Sequence, residues 1–268
     1  MGIEVIQMTY KCVFSDIDGT LLNSNHQISE RTKNKIQELY QRDIPFVLVS
    51  ARMPKGMSYF LDELKIKEPM VCYSGGLILD ENKEVIYSKG FSVEMAKRLF
   101  EYIKYYYQVP VSFYIENRWM VDEIDEGIKE ESKITGLTPE ILDLTNVQKV
   151  HKLLIIADKN IIEQLEMSLK EKFTGLKIYK SKDTYLEIMD ESASKASAIQ
   201  FLCDKMKISL HQVVSFGDNY NDLDMLLLTG KGFAMANGAK GVLESISTHT
   251  LSNDEDGIVY ALENLVGE

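Results

Sequence analysis

Long apolar runs, an excess of basic charge and clusters of metal-binding sulfur or imidazole are all missing from this chain of 268 residues. No stretch reaches the roughly 20 apolar residues that span a bilayer, so no membrane partner is expected. The opening segment MGIEVIQMTYK has neither the basic start nor the apolar centre of an export signal, and a cytoplasmic location is the expectation. Lysine and arginine number 30 against 41 acidic residues, a formal charge of −11. That balance repels polyanions and argues against nucleic acid as a partner. An anionic substrate would therefore need local positive groups or a metal. The three cysteines, Cys12, Cys72 and Cys203, form no CxxC pair and fall in apolar strand-like or helical patterns, so they read as buried free thiols. Four scattered histidines without HExxH spacing suggest no zinc site. Glycine (16) and proline (5) are too few for a long flexible linker.

What is present centres on Tyr10 to Leu22. Cys12, Val13 and Phe14 read as a strand buried on both faces. It ends in Asp16-Ile17-Asp18-Gly19-Thr20. On an extended backbone, side chains two apart point the same way, so Asp16 and Asp18 can share one site. Carboxylates that close repel unless a cation or a shared proton separates them. Asp-Gly after a strand is equally a common turn signal, so the pair alone leaves both readings open.

The chain around it alternates strands and helices. Leu21 to Gln27 reads as a polar flap, and Ser29 as the N-cap of a helix burying Ile36, Leu39 and Tyr40. Ile44 to Val49 is a strand that ends at Ser50-Ala51-Arg52. Pro54 opens a helix with Met57, Phe60, Leu61 and Leu64 at helical spacing, and Met70 to Tyr73 is a third strand, closed by Ser74-Gly75-Gly76. From about residue 84 the pattern changes. A helix over Val93 to Gln108, a hairpin over Val111 to Val121, a polar helix and further strands up to Met189 form a mixed α+β block. Of Tyr105, Tyr106 and Tyr107, at least one should pack inward, since neighbours on a helix cannot share a face. The first pattern then returns. Ser194-Lys195 opens a helix carrying Ile199, Leu202 and Met206. Val213 to Phe216 is a strand ending in Gly217-Asp218-Asn219-Tyr220-Asn221-Asp222, and short strands follow over Gly232 to Met235 and Thr248 to Leu251. The fold expected is α/β, a doubly wound parallel, Rossmann-like core over residues 1–83 and 190–268 with an inserted α+β cap over 84–189. Ligands of such sheets gather at the carboxyl ends of the strands, where Asp16, Asp18, Ser50 and Asp218 fall.

Asp16, Asp18 and Asp218 offer hard oxygen ligands, and their loops contain no His or Cys, which selects Mg²⁺ over zinc. Lys195 and Ser50 would add a charge and a hydroxyl for phosphate oxygens. Together and in this order, Asp16-Ile17-Asp18-Gly19-Thr20, Ser50, Lys195 and Gly217-Asp218-Asn219-Tyr220-Asn221-Asp222 resemble the four motifs of the haloacid dehalogenase-like superfamily. The insert, with Ala234-Met235-Ala236-Asn237-Gly238 and Asn253-Asp254-Glu255-Asp256-Gly257, is similar to the Cof-like sugar-phosphatase branch with its large cap.

The resemblance implies Asp16 as nucleophile through an aspartyl-phosphate and Asp18 as general acid and base. It implies Ser50, Lys195 and Asn221 on the phosphoryl oxygens. Mg²⁺ would sit on Asp16, the Asp18 backbone carbonyl and Asp218. Asp222, Thr20 and Arg52 would support these from behind, Thr20 also marking a phosphatase rather than an ATPase. Two features depart from the family pattern: Ser50-Ala51-Arg52 replaces the usual Thr-Gly-Arg, and Ser74-Gly75-Gly76 stands where Asn-Gly is common. The expectation is a Mg²⁺-dependent phosphatase of a small phosphorylated metabolite, a sugar phosphate first, acting as a monomer or homodimer. A phosphomutase, a phospho-acceptor signalling domain and a non-catalytic binder are the rivals. Asp18 and the large insert argue against the signalling domain.

Overall fold

The computed structural model describes residues 10–265, so the first nine positions of the segment read for an export signal lie outside it. The chain begins with β1 (Cys12–Ser15), α1 (Glu30–Gln41), β2 (Phe46–Val49), α2 (Pro54–Leu64), β3 (Met70–Cys72), β4 (Leu77–Leu79) and β5 (Val85–Ser88). It then builds β6 (Phe91–Ser92), α3 (Val93–Tyr106), β7 (Ser112–Ile115), β8 (Arg118–Val121), α4 (Glu126–Thr135), β9 (Glu140–Ile141), β10 (Lys149–Val150), β11 (Lys152–Ile156), α5 (Lys159–Lys172), β12 (Leu176–Lys182) and β13 (Tyr185–Asp190). It closes with α6 (Lys195–Met206), β14 (Val213–Gly217), α7 (Leu223–Leu228), β15 (Lys231–Ala234), α8 (Lys240–Ser245) and α9 (Gly257–Leu265).

The core sheet has seven strands in the order β15-β14-β1-β2-β3-β4-β5. The pairs from β15 to β3 are parallel, and β4 and β5 then run antiparallel. β1 is buried along its whole length because helices cover both faces. Truncating its fully buried Phe14 to alanine would cost about 3–5 kcal/mol in lost transfer and cavity energy. From β1 the chain winds one way to β2 and β3 and later returns on the other side as β14. The strand order reverses between β1 and β14, and the crevice outside their carboxyl ends is the ligand position of such sheets.

Local signals behave as expected at most helix starts. The Ser29 side chain accepts from the Thr32 N–H, Pro54 occupies the first turn of α2, and Ser194 forms a capping box with Ser197. Several expectations are corrected. Tyr40 is 37% exposed, because α1 buries only its Thr32, Ile36 and Leu39 stripe. Leu21 and Leu22 are core residues rather than flap, since both N–H groups turn back to the Ile17 carbonyl. β3 stops at Cys72, and the segment Thr248 to Leu251 touches the sheet through a single bridge from His249 to Ala234. β5 pairs with β4, so the core sheet runs past residue 83 to Ser88.

The cap sheet has the order β12-β13-β11-β7-β8-β9. Its outer face, with Phe113, Leu153, Ile155, Leu186 and Ile188, packs with α3 and α5 residues such as Leu99, Ile103, Ile162 and Leu165. Its inner face carries Tyr114, Trp119, Val121 and Leu154 into the same apolar cluster as core residues Tyr73, Phe60 and Met53. Tyr107 packs into the cap and hydrogen-bonds Ser168, while Tyr105 and Tyr106 are exposed.

Candidate active site

The register of the sheet brings the motif residues together. Ser15 pairs with Phe216 on one side and Leu48 on the other, so Asp16, Ser50 and Asp218 emerge at the same end of adjacent strands. The Asp16 N–H donates to Phe216 O (3.0 Å), which continues the β1–β14 ladder to the carboxyl edge of the sheet. Gly217 is needed where the chain leaves β14, because a Cβ there would lie 2.5 Å from Asp222 Cβ.

Lys195 is the hub. It stands at the first position of α6, 1% exposed, and its Nζ donates to Asp16 Oδ1 (2.5 Å), to Asp222 Oδ1 and to Val49 O (3.4 Å). Burial works against its charge, but Asp16 and Asp222 more than restore it and raise its pKa. Asp222 is fully buried, and its second oxygen accepts the N–H groups of Asp218 (3.0 Å) and Asn219 (2.9 Å). It therefore folds the loop that presents Asp218. Burial raises the Asp16 pKa, as do the charges of Asp222 and Asp218, against the pull of Lys195. Asp218 is raised to about 6, chiefly by burial and then by Asp222, against a hydrogen bond from Thr20 Oγ1 (2.8 Å).

One carboxylate oxygen from each of Asp16, Asp218 and Asp222 falls within 4.8 Å of the others. Both Asp222 oxygens are already committed to Lys195 and the loop amides, so Asp16 and Asp218 are the pair fitted to hold a cation. Their all-oxygen chemistry suits Mg²⁺, and their pKa values, raised first by burial and then by neighbouring carboxylates, mark buried negative charge that a cation would offset.

Asp18 is turned away from this cluster. Its carboxylate takes two hydrogen bonds from Arg52, at 2.8 and 2.6 Å, and is 49% exposed. Asp18 raises the pKa of Arg52, most through the hydrogen bonds. Ser50 is 2% exposed and accepts the Arg52 N–H at 3.2 Å. Asn221 is half-buried on the short turn Tyr220–Asp222, and among the described residues its side chain bonds to none of the others. Asn237 donates to the Gly19 carbonyl (2.8 Å) and Asn253 to the Leu22 carbonyl (2.7 Å), clamping the loop that carries Asp18.

A family model described as haloacid dehalogenase-like hydrolase matches residues 13–262. The chain belongs to this family. A Haemophilus influenzae protein with a provisional phosphatase name is 36% identical over 265 residues, covering 96% of this chain and 98% of its own. The crystal structure of a Thermotoga maritima protein matches at 31% identity with a TM-score of 0.88, covering 96% of this chain and 97% of that one. A haloacid dehalogenase-like hydrolase from Bacteroides thetaiotaomicron gives the same score at 27% identity, covering 96% and 100%.

In this haloacid dehalogenase-like hydrolase, the cap also brings polar groups that the sequence reading did not single out. Lys152 Nζ reaches Ala51 O (3.4 Å) beside Ser50, and Glu187 lies 3.5 Å from it. The signal was a lone charge in each of two apolar strands, Lys152-Leu-Leu-Ile-Ile156 and Tyr185-Leu-Glu-Ile-Met189.

Proposed function

We propose that this hydrolase is a Mg²⁺-dependent phosphomonoesterase acting on a small phosphorylated metabolite, with sugar phosphates the leading class. The observation that carries the reading is Asp16: a buried carboxylate at the strand-order switch, held by Lys195 at Oδ1 and with a carboxylate oxygen within 4.8 Å of one from Asp218. A phosphate ester entering the crevice would place its phosphorus before Asp16, with Lys195 and Ser50 on its non-bridging oxygens and Asn221 at the rim. Mg²⁺, held by Asp16, Asp218 and the Asp18 backbone carbonyl, would neutralise charge on the transferring group.

Asp16 attacks phosphorus, the bond to the leaving oxygen breaks, and a protonated Asp18 gives that oxygen its proton. The product alcohol departs and leaves an aspartyl-phosphate. Asp18, now ionised, takes a proton from water, whose oxygen attacks phosphorus and frees Asp16 and inorganic phosphate. In the present pairing the Asp18 side chain is held by two hydrogen bonds from Arg52, so Arg52 must release it before it can reach the leaving oxygen. An incoming ester supplies Arg52 with another anion. Closure of the cap over the crevice would exclude bulk water from the reacting groups.

The test is phosphate release from a panel of phosphorylated metabolites, with and without Mg²⁺, by wild type and Asp16→Asn. Turnover that needs Mg²⁺ and disappears in the variant is expected. Absence of turnover on every ester, or unimpaired turnover by Asp16→Asn, would overturn the reading.

A further inference from the structure

Four polar side chains with no part in that chemistry meet beneath the cap, next to Ser50: Ser74 from the core and Lys152, Tyr179 and Glu187 from the cap sheet. Strand alternation puts them there. Leu154 and Tyr179 both pair with Glu187 across the sheet, and Lys152 shares the face of Leu154, while the opposite face is the apolar layer under α3 and α5. Lys152 and Glu187 are each 8% exposed, and the Tyr179 hydroxyl donates to Glu187 Oε2 (3.1 Å). Ser74 is 1% exposed, and among the described residues its Oγ has no partner within hydrogen-bond distance, its nearest polar interaction being a weaker one with the Tyr179 hydroxyl.

Nothing in stability favours this arrangement. A buried hydroxyl left unpaired costs about 1–3 kcal/mol, and a buried ion pair often gains nothing over apolar residues of the same size. The backbone makes the same point. Tyr73, Ser74 and Gly75 have successive φ values of 51°, 49° and 103°, a run that L side chains rarely adopt. It is held by Tyr73 N–H to Arg52 O (3.1 Å), by Ser74 N–H to Ser50 O (2.9 Å), and by Gly75 packed against the Ser194 carbonyl, where a Cβ would collide. The anchors are the segments that carry Ser50 and Lys195, so the strained loop is fixed beside Ser50 and the start of α6.

The chemistry of the cluster selects its ligand. Lys152 and Glu187 cancel in charge, and Glu187 would repel a second phosphate or carboxylate. The Tyr114 ring is stacked on Trp119 (5.9 Å between centroids) and capped by Lys152 Nζ (4.7 Å), so it offers no free platform for a nucleobase or flavin. What remains is a set of donors and acceptors: an ammonium, a carboxylate and two hydroxyls. We propose that Ser74, Lys152, Tyr179 and Glu187 bind the hydroxyl groups of a neutral polyol or sugar leaving group and so set substrate choice, an inference that rests on the phosphatase reading above.

The experiment compares kcat/KM for the best hexose phosphate of the panel with that for p-nitrophenyl phosphate, in Mg²⁺, for wild type, Ser74→Ala, Tyr179→Phe and Glu187→Gln. Each conservative variant should leave p-nitrophenyl phosphate hydrolysis within about twofold. Hexose phosphate should fall roughly 10-fold or more for Tyr179→Phe and Glu187→Gln, and several-fold for Ser74→Ala, the scale of losing one or two ligand hydrogen bonds. Free hexose should inhibit wild type more strongly than the variants. Selectivity ratios equal to wild type in all three, or a wild type that prefers nucleotides or diphosphorylated esters, overturn this assignment and leave the phosphatase reading standing. Failure of wild type on p-nitrophenyl phosphate and every ester overturns both. Should Glu187→Gln fail to fold with Lys152 unpaired, the two hydroxyl deletions decide the matter.

Discussion

Acidification should loosen the junction of cap and core through one residue, His151. Its ring is 2% exposed and stacks on Tyr73 at 5.3 Å. Nδ1 accepts the Glu116 N–H at 3.1 Å, which assigns the proton to Nε2 and makes that nitrogen the donor to Ser88 Oγ, also at 3.1 Å. Burial, and then Lys149, lower its pKa from the usual 6.5 to about 4. Between those values the unfolded chain binds a proton that the folded chain refuses. Stability therefore rises with pH through this window and is lost as pH falls below about 6.5. The shift corresponds to about 3 kcal/mol in full, most of it expressed by pH 4.5. His151→Gln keeps a carbonyl oxygen for the Glu116 N–H and cannot titrate. Urea unfolding of both proteins at pH 7 and pH 4.5 isolates the effect, because the opposite contributions of Asp218 (about 6) and Glu68 (raised by burial to about 7) cancel in the double difference. The wild type should lose about 2–3 kcal/mol more than the variant. Equal losses would refute the reasoning.

Asp222→Asn sets an amide donor against either Lys195 or the loop N–H groups, and should lower unfolding free energy by about 3–5 kcal/mol, read by urea titration. Gly75→Ala drives a Cβ into the Ser194 carbonyl and should prevent accumulation of folded protein, whereas Gly136→Ala, also at positive φ but with no atom within 4 Å, should cost only about 1–2 kcal/mol. Thr20→Val removes the hydrogen bond that holds down the Asp218 pKa. Calorimetric Mg²⁺ affinity should therefore fall more at pH 6 than at pH 8.

The candidate site was legible because its polar residues sit at strand ends, where short apolar runs stop abruptly at Asp16, Ser50 and Asp218. Lys195 taken alone resembles any solvated lysine near a helix start, and only its place after Ser194 in the motif order marked it. The β4–β5 hairpin was hidden by its length: Leu77–Leu79 has three residues, and Val85–Ser88 is largely exposed and so shows no buried alternation. Tyr40 is apolar enough for the core stripe of α1 but falls at its edge. The cap cluster escaped because Lys152 and Glu187 become neighbours only through the β11–β13 register, which no local pattern encodes.

The charges of the site set an order of binding. Asp16, Asp18, Asp218 and Asp222 face two cations, Lys195 and Arg52, and both cations are already engaged by these carboxylates. When all four acids are ionised the crevice carries two uncompensated negative charges. A phosphate dianion entering it meets repulsion of about 4 kcal/mol for each pair of unit charges 4 Å apart at an effective dielectric constant of 20. A divalent cation on Asp16 and Asp218 would bring the count to zero before the ester arrives, whereas the reverse order must overcome the full repulsion. Titration of wild type with inorganic phosphate, followed by calorimetry, should thus show no binding at millimolar concentration without Mg²⁺ and binding once Mg²⁺ is present. Asp218→Asn removes one negative charge and should recover part of the metal-free affinity while weakening the Mg²⁺-dependent one. Equal phosphate affinity with and without Mg²⁺ would show that Lys195 and Arg52 suffice, and that the acidic excess has another purpose.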